Sequence, residues 1–427
     1  MTLYARPSAP WFDMECHLTK VKTRKLERSY RSCPSQRSRK EWQQQFEHQR
    51  QLFQVKAASY WSSAIDMCGN DAKAMWRKLR CLLQPMPDTV QRHTADQFAQ
   101  QFSNKVDMIR RSTATAPTPN IRHRDVDVPL CEFELVTAEE IVSILRHLPT
   151  KHCTIDPIPT WLVKQLGHVL APVLATLCNA SFDRCLLPVS QKRASMRPLL
   201  KKPTLDANDL SSYRPILNLS FVSKTIERVV DSRLTRHADL HSLLPTNQSA
   251  YRSKHSTETA VVSVHNELVY AVDSGHVGAL VMLDLSSAFD TVDHDVMFSV
   301  LSARFGIHDK ALEWLHSYFS YRSQVVSVGE SISTAQLLTC GVPQGSVLGP
   351  KTFVMYTEDG TDVFHSHRIF YHLYADDMQM IEHCILSEAK AIVTSIQNCV
   401  SDVCGWCSSR QLQLNSSKTN YVVWLRQ

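Results

Sequence analysis

A mixed α/β fold (α+β in arrangement) follows from a contrast along the 427 residues. Up to about Leu187 apolar residues recur at helical spacing, whereas beyond residue 277 short apolar runs of strand length alternate with loops marked by Gly and Pro. Aspartates abut those runs: Asp284 closes one, and Asp376-Asp377 separates two others.

The first 56 residues hold 12 basic against 5 acidic side chains, so the front alone carries more positive charge than the +6 of the whole chain. The cluster Lys20, Lys22, Arg24, Lys25, Arg28, Arg31, Arg37, Arg39 and Lys40 suits either a polyanionic partner or a solvated, helical or disordered arm. From Glu41 to about Arg80, Trp42, Phe46, Phe53, Tyr60, Trp61, Ile65, Trp76 and Leu79 predict helices interrupted at Gly69-Asn70-Asp71. Thr94 is the expected N-cap of a helix through Phe98, Phe102, Val106 and Ile109. Residues 112–130 lack periodicity and are rich in turn formers, which predicts a linker between a helical region (57–111) and the rest (131–427). Thr137 to Glu140 matches a capping box for a helix through Leu148, and Pro157, Pro159 and Pro172 punctuate further helical material.

Residues 277–283 predict a strand buried on both faces. Residues 325–328 predict another, followed by a loop with Gly341, Pro343, Gly345, Gly349 and Pro350. Runs 369–374 and 378–381 predict a hairpin with two carboxylates at its tip.

With 43% hydrophobic and 21% charged residues, the chain has the composition of a globular protein. No apolar run approaches the roughly 18 residues of a membrane span, and no signal-peptide core opens the sequence, which predicts a soluble, intracellular protein. Thirteen cysteines without regular spacing read as reduced thiols. Cys404 and Cys407, with Cys399 nearby, lack a second ligand pair, and the 19 histidines form no metal-ligand motif.

An Asp-Asp pair alone is weak evidence, since turn and N-cap aspartates are common. Its setting carries more. Two adjacent strands would bring Asp284, Asp376 and Asp377 within a few ångströms, where mutual repulsion raises their pKa values unless cations intervene. Carboxylate oxygens suit Mg²⁺, and two such ions about 3.5–4 Å apart stabilise the attacking and leaving oxygens of a phosphoryl displacement. Nucleotidyl transfer fits that requirement.

A longer set of ordered blocks points the same way. These are Arg197 to Pro203, Tyr213 to Ile216, Asn247 to Tyr251 with Ser256 to Ala260, Leu283 to His294, Gly341 to Pro350, Tyr374 to Asp377, and Leu412 to Asn415 with Lys418-Thr419. Together they resemble the reverse transcriptase domain of non-LTR, LINE-like retrotransposons of the jockey and chicken-repeat group. Upstream, Tyr60-Trp61, Cys68 to Asp71, Trp76 to Leu79 and Asp156 to Leu162 extend the resemblance to about residues 57–427.

The resemblance implies a polymerase of fingers and palm, with an antiparallel palm sheet. It implies that Asp284, Asp376 and Asp377 bind two Mg²⁺ ions, Mn²⁺ being an alternative, with the Leu285 carbonyl as a further contact. By the same resemblance Phe289 would stack under the sugar and exclude a ribose 2′-hydroxyl, and Gln344 and Gly345 would line the nucleotide pocket. Lys201, Lys202 and Arg214 would grip the triphosphate, and Lys418 would protonate the leaving pyrophosphate. The bland alternatives are a core ring at Phe289 and surface lysines. The implied partners are an RNA template, a DNA primer and dNTPs, with no membrane, in the nucleus, the cytoplasm or both; the oligomeric state is left open.

The chain also departs from the family pattern. Lys351 replaces an aliphatic residue, and Glu358 and Asp359 add charge to a normally apolar helix, as a decaying copy would. The sequence stops at Gln427, where the resemblance leads one to expect a thumb, and no endonuclease precedes residue 57. Two functions are therefore compatible with the sequence: RNA-directed DNA polymerase, or a truncated noncatalytic RNA-binding relic.

Overall fold

Residues 277–283 form an inner strand that pairs on both sides, but Leu280 and Met282 are only half-buried, so the expected burial on both faces is met in part. The computed structural model describes residues 11–67, 93–148, 155–156, 158–202 and 204–424. The blocks at 68–71 and 76–79, the expected helix break at 69–71 and Pro157 lie outside the described residues. The chain divides into two compact units, Met1–Arg92 and His93–Gln427.

In the first unit, α1 (Met14–Ser32) and α2 (Gln36–Asp66) form a helical hairpin. Asp13 caps α1 by accepting from the Cys16 amide at 3.0 Å. Tyr30 stacks on Trp42 near the turn, and Lys56 reaches both Asp13 and Glu15 at 2.7 Å at the far end. Only Cys16 and Thr23 are buried here among the described residues.

The second unit begins with α3 (Ala95–Thr113), whose N-terminus carries a capping box between Thr94 and Gln97. After an irregular segment come α4 (Ala138–His147), α5 (Thr160–Gln165), α6 (Gly167–Asp183), β1 (Arg193–Leu200), β2 (Tyr213–Asn218), α7 (Phe221–Leu240) and α8 (Thr257–Asp273). Then follow β3 (Val277–Leu283), α9 (Ala288–Thr291), α10 (His294–Phe305), α11 (Asp309–Phe319), β4 (Arg322–Val328), β5 (Ser331–Ile332) and β6 (Gln336–Leu338). The last elements are α12 (Leu348–Tyr356), α13 (Thr361–His367), β7 (Phe370–Tyr374), β8 (Asp377–Cys384), α14 (Ala389–Ser409) and β9 (Asn420–Trp424).

Two sheets result. One runs β2-β1-β4-β5 with β6 also on β4; β1 is antiparallel to β2 and parallel to β4. The other, β7-β8-β3-β9, is antiparallel throughout, with Leu283 opposite Met378 and Leu373 also opposite Met378. Its core-facing side chains Leu283, Met378 and Tyr371 join Phe182, Phe305, Trp314, Tyr318 and Phe353 in the main core. Burying side chains of this size stabilises by about 1.5–3 kcal/mol each. A second cluster packs Phe98 and Ala99 of α3 onto Met196, Leu217 and Val326 of the first sheet.

The segment between α3 and α4 is irregular yet closely held. The Arg124 amide donates to the Ala303 carbonyl at 2.8 Å, and Leu130 bridges to Ile307. Pro172 lies inside α6 instead of ending a helix.

The charged departures from the family pattern find partners inside the fold. Glu358 accepts from Arg304 at 2.9 and 3.0 Å and from Arg124 at 2.6 Å. Asp359 pairs with Arg410 and accepts from the Trp406 indole. Lys351 is buried with its ammonium 3.3 Å from the Tyr251 carbonyl. The ten described cysteines are all free, and Cys399 and Cys407 are buried in α14. Among the described residues no helix is long and apolar enough to cross a membrane.

Candidate active site

Strand β3 delivers Asp284 to the same end of its sheet as the β7–β8 hairpin tip. Continued one step beyond Leu283–Met378, the antiparallel register sets Asp284 opposite Asp377. The hairpin closes on Tyr374–Asp377, leaving Ala375 and Asp376 as its two turn residues. Ala375 has φ +57°, the positive φ that a two-residue hairpin requires at its first turn position in the II′ form. Gln248 steadies this tip: its Oε1 accepts from the amides of Ala375 at 3.2 Å and Ala250 at 2.9 Å. The Asn247–Tyr251 block thus lies along β7, with the Ser249 amide donating to Leu373 and the Leu373 amide to Asn247.

A second clamp holds Asp284. Leu285 bridges to Leu414, and the Asn415 amide donates to the Asp284 carbonyl at 2.8 Å. The Asn415 side-chain amide donates to Oδ2 of Asp284 at 3.2 Å, and Lys418 Nζ lies 3.0 Å from Oδ2 and 3.3 Å from Oδ1.

Burial, reinforced by the charges of Asp377 and Asp284, pushes the Asp376 carboxyl up to about 6. Asp377, though its side chain is largely exposed, is also raised, by partial loss of hydration first and then by Asp284. These carboxylates are therefore short of positive charge. Among the described residues no three His, Cys, Asp or Glu side chains already stand as a closed ligand set. The donor chemistry nevertheless suits a hard divalent cation: oxygens only, held in mutual repulsion, with an ammonium drawn onto Asp284.

The Gly-rich loop forms the facing wall. The Gly341 amide donates to Val292 and the Val342 amide to Phe289, both at 2.7 Å, and the Leu217 amide donates to Gln344 at 3.0 Å. Gly341 and Gly345 have φ +85° and +101°, and a Cβ on either would stand 2.7 Å from the Asp290 carbonyl oxygen or 2.4 Å from that of Leu217. The close approach that Gly345 permits is therefore to β2 of this chain. Gln344 donates through Nε2 to Asp290 at 2.8 Å, leaving its carbonyl as the acceptor still to be used. Phe289 is half-buried and stacked on Phe353, ring centroids 4.4 Å apart.

Lys201, Arg214, Asp284, Leu285, Phe289, Gln344, Gly345, Asp376 and Lys418 all border one open cleft of about 1380 Å³. Lys201 donates to the Ser211 carbonyl at 2.7 Å, and Arg214 is exposed on β2 opposite Leu199. Lys202 and Asp377 are exposed and do not border this cleft.

Sequence reasoning missed several residues that shape the site. Asp290, Gln248 and Asn415 lie inside the family-like blocks 283–294, 247–251 and 412–415, so their motif membership was the available signal. Glu227 had none: it is fully buried in α7 and accepts from the Val347 amide at 2.6 Å and the Leu348 amide at 3.4 Å, capping α12. Arg110, which pairs with Asp293 at 2.9 Å, likewise lay in an ordinary amphipathic pattern.

The family model for reverse transcriptase (RNA-dependent DNA polymerase) matches residues 200–427, more than half of the chain. The chain belongs to the reverse transcriptase family. Among similar proteins, the probable RNA-directed DNA polymerase from transposon BS of Drosophila melanogaster is 30% identical over 292 residues, covering 66% of this chain and 32% of that protein. The RNA-directed DNA polymerase from mobile element jockey of the same species is 25% identical over 388 residues, covering 84% of this chain and 41% of that protein. An uncharacterized 149 kDa protein of transposon TX1 from Xenopus laevis is 24% identical over 224 residues, covering 52% and 17%. This reverse transcriptase chain thus spans about a third of the first relative's length and about two fifths of the jockey protein's.

Proposed function

We propose that this chain is the polymerase portion of a non-LTR retrotransposon protein, extending a DNA primer on an RNA template from dNTPs. The sheet β7-β8-β3-β9 acts as the palm and the sheet built on β1, β2 and β4 as part of the fingers. The observation that carries the reading is the convergence of Asp284 and Asp376 on one cleft, with Asp376 desolvated and repelled by its neighbours.

Asp284, Asp376 and Asp377, with the Leu285 carbonyl, would hold two Mg²⁺ ions, or Mn²⁺ in their place. Divalent ions there supply charge neutralisation at the phosphoryl oxygens and an acidified primer hydroxyl. The chain's own groups do the rest. Arg214 and Lys201 bind the triphosphate, Phe289 closes the space beside the sugar 2′ position, and Gln344, oriented by Asp290, offers its carbonyl to the nucleotide. Lys418 carries a proton at Nζ for the departing pyrophosphate. The setting of this activity is the nucleus, the cytoplasm or both.

Primer extension on an RNA template with Mg²⁺ tests the reading. Incorporation by the parent chain, lost by at least about a thousandfold in Asp376→Asn/Asp377→Asn, is expected. Equal incorporation by both defeats the assignment. Salt-dependent RNA binding with no incorporation by the parent would favour the noncatalytic relic instead.

A further inference from the structure

We propose that α3, which lies upstream of the segment matched by the family model, forms a wall of the nucleotide pocket, and that Lys105 on it contacts the triphosphate of the incoming dNTP. The inference rests on the polymerase reading and adds to it a residue that neither the motifs nor the family match assigns.

The helix is fixed where it stands. Its N-terminal Asp96 accepts from the Thr334 amide at 3.1 Å, and Phe98 meets the Tyr213 ring edge-on at 4.9 Å. Farther along, Arg110 pairs with Asp293, and Thr113 donates to the Gln411 side chain at 2.8 Å. These ties reach β2, the segment after β3, and the chain leading into Asn415 and Lys418. Helix α3 is thus braced against the elements that supply the proposed catalytic residues.

Gln101, Lys105 and Arg110 border the same cleft as Asp284 and Asp376. Arg110 is already paired with Asp293. Lys105 is exposed and makes no hydrogen bond or ion pair among the described residues. Its charge acts on Asp290, which orients Gln344, and on Lys201, which in turn feels Lys418. Three ammonium groups thus share one region of the cleft at a cost in mutual repulsion, and a polyphosphate between them would offset that cost. The groups that border the cleft with Lys105 and feel its charge are those assigned to a mononucleotide, Gln344 through Asp290 and Lys201, which favours the triphosphate over a polynucleotide backbone.

The test measures equilibrium binding of dATP with Ca²⁺ to the full chain carrying a dideoxy-terminated primer on RNA, for the parent, Lys105→Ala and Lys105→Arg. Loss of one charge-assisted phosphate contact predicts about tenfold weaker dATP binding in Lys105→Ala, recovered largely in Lys105→Arg, with primer–template affinity unchanged. In steady state the KM for dNTP rises while kcat stays within about twofold. Unchanged dATP affinity in Lys105→Ala, loss of primer–template affinity alone, or a parent that binds no dATP overturns the proposal. Parent binding of dATP without incorporation, with the Lys105 effect present, would retain the contact and sink the polymerase reading.

Discussion

Asp290 shows what a single half-buried carboxyl imposes on the molecule. Burial pushes it up to about 6, against the partly compensating Lys105 charge and the Gln344 hydrogen bond. A carboxyl whose folded pKa exceeds its unfolded value binds its proton more tightly in the folded state. Its favourable contribution is therefore complete below about pH 4 and is lost as pH rises through 6. Asp290→Asn keeps an acceptor for Gln344 and removes the titration. In urea denaturation without divalent ions, the variant should gain up to about 3 kcal/mol on the parent at pH 7.5 and almost nothing at pH 4. An equal difference at both pH values would show that the carboxyl does not titrate as described. Asp284 and the Asp376-Asp377 pair were legible because each directly follows a short apolar run, which fixes their end of the sheet. Asp290 was not, since its role exists only once residues 341–345 fold back onto it. Nor could sequence separate Lys201 from Lys202, because adjacent turn residues point in different directions.

At the level of elements, the loop bearing Gln344 depends on a helix that never touches the cleft. Glu227 of α7 receives the first amides of α12 and the Ser223 hydroxyl, with the Arg322 charge nearby. Glu227→Ala strips that cap and leaves the buried Val347 amide without its acceptor, a change expected to cost about 1–3 kcal/mol. Chemical denaturation would measure it, and a cost below 1 kcal/mol would refute the capping role. The hairpin, β3 and the α3 cap at Thr94 were readable from period and punctuation. Strands β1 and β2 were not, because each contains a proline, which argues against a strand. The structure resolves the conflict: Pro198 and Pro215 sit opposite one another, past the point where β1 stops pairing with β4 at Met196–Val326. The missing amide hydrogens fall where the ladder on that side has ended.

Across the whole molecule, burial is unevenly shared. The first unit buries only Cys16 and Thr23 among its described residues, whereas the second encloses Trp314, Tyr318, Phe305 and Phe353. Amide hydrogen exchange should therefore be at least about a hundredfold faster along α1 and α2 than along β3 and β8, and equal protection would contradict this ordering. The charge asymmetry of the chain was visible in composition. What composition could not reveal was how the second unit accommodates its buried charges. Glu358 is shared by Arg304 and Arg124, and Asp359 by Arg410 and Trp406, so losing Glu358 leaves Arg304, and losing Arg410 leaves Asp359, buried without its main counter-charge. Drift at these positions is then easiest when the two members of a pair change together, and reverse transcriptase sequences released from selection would betray themselves first by widowed charges here.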